Sequence, residues 1–227
     1  MQTILRLSQF LITLLVCFTS FALGFQSDTL ITQVFYKTSK NKLDVIKGSE
    51  DLLVYISPFG ILYCSKYYYV VETNSEDAAP HTQIFRRRSQ FIEDSIAIAN
   101  NDSVLFHTTD SDEFFYGLQQ HFLFIDAGTY VGVRGLVVYD LTKGDKVFST
   151  DYSDQPENPF LDSAFSVVFW EPVGPADSSN CSEFNNILKD ELVPNIAKKC
   201  SFHLLKKLKT QLGETRCVEF DYKYHKL

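Results

Sequence analysis

Between His121 and Tyr152 the chain runs HFLFIDAGTYVGVRGLVVYDLTKGDKVFSTDY, and no other segment narrows the possible folds as much. Val137, Tyr139 and Leu141 alternate with Val138 and Asp140, a period of two that belongs to a β-strand. Thr142-Lys143-Gly144-Asp145 supplies turn residues, and Lys146 to Tyr152 forms the return strand. Phe122 to Ile125 adds a strand in front. The stretch predicts the central antiparallel meander of an all-β protein.

Composition agrees with that expectation. Twenty Phe and twelve Tyr stand against one Met and one Trp, and aromatic side chains pack well on a pleated surface. The 227 residues, 45% of them hydrophobic, suit a single core. One β-rich domain over 25–227 is expected, because 1–24 has the pattern of a secretory signal. Arg6 starts it, Phe10 to Phe18 is apolar except for Thr13, and Ala22-Leu23-Gly24 offers small residues for cleavage. Ser8, Gln9, Thr13, Thr19 and Ser20 interrupt the roughly 20 apolar residues that a membrane span needs. The expectation is a secreted or periplasmic protein with no stable membrane insertion after cleavage. Removing 1–24 takes away Arg6 and no acid, so the net charge goes from −7 to −8. Nucleic acid is therefore not an expected partner, since binding phosphates calls for a basic surface.

Downstream, Leu30 to Tyr36 predicts a strand. Leu52 to Ser57 and Ile61 to Val71 predict a hairpin about Ser57-Pro58-Phe59-Gly60. Glu72 to Thr82 is a polar loop, and Ile84-Phe85-Arg86-Arg87-Arg88 is a strand too short in basic residues to specify nucleic acid. Ser95 to Thr108 predicts another hairpin, turning at Asn100-Asn101-Asp102-Ser103. Asp110, Asp112 and Glu113 invite a calcium-dependent module, but Phe115 stands where an EF-hand loop needs glycine and His121 where it needs glutamate. Gly128, Gly132 and Gly135 lack the spacing of a dinucleotide loop, so they are expected to form turns. Gly135 to Phe148, GLVVYDLTKGDKVF, resembles the hairpin of a β-propeller blade. Propellers repeat about every 40 to 50 residues, and no second clear copy is found. A short propeller-like arrangement therefore stands beside a sandwich or barrel. Ala164 to Trp170 is an apolar strand broken by Pro172-Val173-Gly174-Pro175. Ser182 to Leu192 is the one short helix expected, with Ser182 as its cap.

The tail has two readings. Over 201–213 a helix would align Leu205, Leu208 and Leu212 on one face; alternatively Asn195 to Leu205 pairs with Gln211 to Tyr222 as a hairpin. The segment beginning Gly213-Glu214-Thr215-Arg216-Cys217 resembles the closing strand of uncharacterised exported bacterial all-β proteins, which favours the hairpin and implies no established activity. Four cysteines remain beyond the signal: Cys64, Cys181, Cys200 and Cys217. In an exported chain all four are disulfide candidates, with buried free thiols as the alternative. A turn at Leu208-Lys209 would set Cys200 opposite Cys217, and a Cys181–Cys217 bond fits equally well.

Linear catalytic signatures are missing: no G-x-S-x-G, no H-E-x-x-H, no C-x-x-C and no G-x-x-x-x-G-K. No cofactor and no metal site is expected. A convergent site could still assemble from distant segments. His121, Asp126, Tyr130 and Arg134 bring a base, an acid and a cation into one neighbourhood, so the candidate binding residues lie there. Asn101-Asp102-Ser103 and Asn180-Cys181-Ser182 match the glycosylation acceptor pattern. The leading expectation is a non-catalytic exported or envelope β-domain that binds a macromolecular partner. The alternatives are a hydrolase near His121 and Asp126 and the calcium-dependent module.

Overall fold

The strands pair antiparallel into three sheets. The computed structural model describes residues 31–37, 47–58, 60–73, 81–87, 95–99, 103–108, 112–128 and 133–220. The segment 1–24, Asp110 and Tyr130 lie outside them. The first sheet has seven strands in the order β6-β1-β2-β3-β4-β5-β7. These are β1 (Ile31–Lys37), β2 (Leu53–Ser57), β3 (Gly60–Cys64), β4 (Tyr68–Thr73), β5 (His81–Arg86), β6 (Ser95–Ala99) and β7 (Val104–His107). The second is the meander: β8 (Glu113–Gln119), β9 (Phe122–Ala127), β10 (Arg134–Asp140) and β11 (Asp145–Tyr152), neighbours in space as in sequence. The third repeats that simple order with β12 (Phe160–Leu161), β13 (Ser166–Pro175), β14 (Val193–His203) and β15 (Leu208–Phe220). Each sheet runs between two open edges, so none is a barrel.

The meander lies between the other two sheets because its strands are apolar on both faces. Phe122, Phe124, Leu136, Val138 and Tyr152 pack with Val167, Phe169, Cys200 and Phe202 of the third sheet. On the opposite face Leu123, Ile125 and Val137 pack with Tyr63, Tyr68, Val70 and Ile84 of the first sheet. A strand covered on both sides has no polar alternation to display. Phe148 stacks on Phe202 at 4.0 Å between ring centroids, closing one interface. Burying each such side chain contributes about 1.5–3 kcal/mol.

Several expectations are corrected. The run from Ile61 to Val71 is two strands, because Ser65 Oγ accepts the amide hydrogens of Tyr67 and Tyr68 and turns the chain. Ser95 to Thr108 is not a hairpin: β6 pairs with β1 and β7 with β5, at opposite edges of the first sheet. There the Phe106 ring lies 4.5 Å from that of Tyr139, joining β7 to the meander. β13 continues through Pro172 to Pro175, where a bulge between Pro172 and Gly174 absorbs residues that cannot serve a regular ladder. The helix, α1 (Phe184–Lys189), is shorter than expected and no side chain caps its start. Glu191, at φ 61°, reverses the chain before Leu192 can extend it.

The tail is the hairpin β14–β15, turning over Leu204 to Lys207 with the Lys207 amide on the His203 carbonyl. That turn sets Cys200 opposite Gln211 rather than Cys217. Cys217 is bonded to Cys181, and Cys64 and Cys200 are free and buried.

Candidate functional site

Asp126 ends β9 and Arg134 begins β10, across the loop that joins them. Asp126 Oδ1 accepts Arg134 Nε at 2.8 Å and the Tyr152 hydroxyl at 2.9 Å, while Oδ2 accepts Arg134 Nη2 at 2.5 Å. Three of the roughly four acceptor positions of a carboxylate are thus filled. The hydrogen bond to Asp126 raises the Arg134 pKa, outweighing burial. Burial first, then the neighbouring Asp126 charge, pushes the Tyr152 hydroxyl far above the usual tyrosine range. Nearby Asp154 is also raised, by burial, and its Oδ1 has no hydrogen-bond partner among the described residues. This ion pair, with Tyr152 beside it, holds the ends of β9, β10 and β11 together.

His121 occupies the other end of β9. Its Nδ1 lies 2.7 Å from the Tyr68 hydroxyl, and its ring sits 4.8 Å from that of Tyr67 and 5.8 Å from that of Tyr68. The five residues from His121 to Asp126, at about 3.3 Å each, put about 16 Å between them. Their side chains also serve opposite faces of the meander, His121 against the first sheet and Asp126 against the third. Asp126 and Arg134 are brought together; His121 is not brought to them.

The turn end around His121 collects groups that belong to no linear motif. The Leu141 amide donates to the His121 carbonyl, so the β10–β11 turn adjoins the β8–β9 turn. Asp140 Oδ1 accepts the Thr142 amide at 3.0 Å and the Thr142 hydroxyl at 2.5 Å. Burial would raise the Asp140 pKa, but those donors and the charges of Lys143 and Lys207 hold it below the usual value. The tip of the β14–β15 hairpin reaches the same end of the meander: the Leu204 amide donates to the Phe165 carbonyl, and the Phe165 ring lies 6.2 Å from that of Phe122, which stands opposite Asp140 in the ladder. On that tip Leu205 is 65% and Leu208 59% exposed, and Leu212 further along β15 is 46% exposed. Lys206 and Lys207 are exposed and make no side-chain hydrogen bond or ion pair among the described residues, whereas Lys209 is paired with Glu171. The signal in sequence was Leu204-Leu205-Lys206-Lys207-Leu208-Lys209, six residues of leucine and lysine without an acid.

Among the described residues no group of three or more His, Cys, Asp or Glu could hold a metal ion, and no helix is long and apolar enough to cross a membrane. Asp112 and Glu113 lie at the start of β8, Glu113 within the ladder opposite Ala127. The chain matches no protein family, no curated protein and no solved structure.

Proposed function

We propose that the protein is a non-catalytic exported β-domain that binds a macromolecular partner, with the tip of the β14–β15 hairpin as the contact. The observation that carries this reading is the exposure of Leu205 and Leu208 beside Lys206 and Lys207. Two large aliphatic side chains exposed on one hairpin tip contribute little to the chain's own core, and exposed apolar surface of this kind suits a contact. The Cys181–Cys217 bond supports export, since structural disulfides persist in oxidising compartments. A hydrolase centred on His121 and Asp126 draws no support from residues at opposite ends of β9, one of them engaged by Arg134 and Tyr152.

The test is a photo-crosslinking amino acid placed at Leu205 and, for comparison, at Asp151 on the far end of β11. In the producing cells the Leu205 position should give a discrete adduct, to protein or to lipid, that the Asp151 position does not give. Equal labelling from both positions, or none from Leu205, would refute the assignment.

A further inference from the structure

Resting on that reading, we infer that the partner at this tip is an anionic lipid surface. Leu205 and Leu208 enter the headgroup layer while Lys206, Lys207 and Lys143 meet the lipid phosphates.

Three observations favour this occupant. First, exposed cations stand at the tip. The whole protein carries −7, yet Lys206 and Lys207 are exposed on a turn that the Leu204 amide holds to Phe165, itself against Phe122 opposite Asp140, with Lys143 in the adjoining turn. Of the acids at that end, Asp140 holds Thr142 and Asp162 Oδ1 accepts the amides of Ala164 and Ser166, which turns both carboxylates toward their own backbone, while Asp145 is exposed and Glu50 is partly buried.

Second, aliphatic and cationic residues are interleaved. Leucine supplies a short apolar anchor, and a lysine stem lies along apolar surface with its ammonium at the phosphate level. Peripheral binding strength grows with both buried apolar area and attraction to anionic lipid.

Third, the tip is a short turn, Leu204 to Lys207, in which Leu204 is buried while Leu205 is exposed. Shallow insertion into a headgroup layer needs no more than such a turn.

The experiment is co-sedimentation of the purified protein with phosphatidylcholine vesicles containing about 30% phosphatidylglycerol, beside vesicles of phosphatidylcholine alone. Binding should be at least about ten-fold tighter to the anionic vesicles and should weaken in high salt. The double variant Lys206→Glu, Lys207→Glu should lose most of that binding, and Leu205→Ser, Leu208→Ser should lower it at both lipid compositions. Both variants should keep the wild-type melting temperature within about a degree, because exposed positions away from the core shift stability little. Binding unchanged by the charge reversal would assign the attraction to another segment and overturn the inference. If wild type ignores anionic vesicles while a crosslinker at Leu205 captures a protein, the lipid inference falls and the tip reading stands. If Leu205 also captures nothing, both fall.

Discussion

Arg134 grips Asp126 at two points, 2.8 Å and 2.5 Å, while Tyr152 donates to the same carboxylate from β11. Three consecutive strands are thereby joined at one end of the meander, where no lysine of the opposite tip reaches.

Removing the cation should be expensive. Arg134→Ala leaves a nearly buried carboxylate with only the Tyr152 hydroxyl, and breaking a buried pair from one side costs about 3 kcal/mol. Urea unfolding should show that loss at neutral pH. A change below about 0.5 kcal/mol would place the pair among the surface bridges that contribute little.

The disulfide predicts a stability loss and a labelling pattern. Its partners are 36 residues apart, a loop whose closure is worth about 3–4 kcal/mol in the chain-entropy account. Cys181→Ser with Cys217→Ser should therefore melt several degrees lower. Cys64 and Cys200 are 3% and 0% exposed, and burial raises both thiols. Peptide mapping after treatment with a thiol reagent should find neither labelled until the protein is unfolded.

Glu72 accepts the Tyr63 hydroxyl at 2.5 Å and the Phe115 amide at 3.2 Å, linking the first sheet to the meander. Burial raises its pKa above the ordinary 4.5, and the two hydrogen bonds recover only part of the shift. The folded state therefore keeps a proton that the unfolded chain has released. The stability this proton contributes is fully present below the unfolded pKa and is lost as pH rises through the folded one. Glu72→Gln removes the titration, so its urea midpoint should fall less than that of wild type between about pH 4 and about pH 7. Identical profiles would show that Glu72 ionises without penalty.

Two glycines should differ in kind. A Cβ on Gly60 would sit 2.1 Å from the Glu72 carbonyl oxygen and 3.0 Å from Thr73 Cα, all backbone of β4. Gly60→Ala must push β3 from β4 and should cost about 2 kcal/mol or more. Gly144 has open space around it but lies at φ +74°, so Gly144→Ala should cost only about 1 kcal/mol of backbone strain. Thermal melts of the pair would reveal the order.

How much of this was legible depended on the range of the signal. The β10–β11 turn was clear because Thr142, Lys143 and Gly144 and their flanking alternation are all local. The Pro58 turn was clear for the same reason. Ser65 turned the chain unannounced, since its hydroxyl replaces the glycine or proline that would mark the spot. β6 and β7 looked like a hairpin because two short apolar runs flank Asn100-Asn101-Asp102, yet their partners β1 and β5 are distant in sequence. Pro172 and Pro175 read as breakers until a bulge accommodated them. At the candidate site, Asp126 and Arg134 could be paired from proximity in sequence. His121 could not be excluded from that pair without knowing that β9 runs straight between them. The lysine-leucine tip was visible as composition, and only the hairpin register turned it into a surface.

The meander between the two outer sheets has a kinetic consequence. β8 to β11 follow one another along 113–152, so their pairing closes only short loops, whereas the first sheet must join β1 to β6 and β5 to β7 across long ones. Closing short loops is fast. The layer on which both outer sheets depend is thus the one that a folding chain can complete earliest, giving each of them a finished apolar face to assemble against.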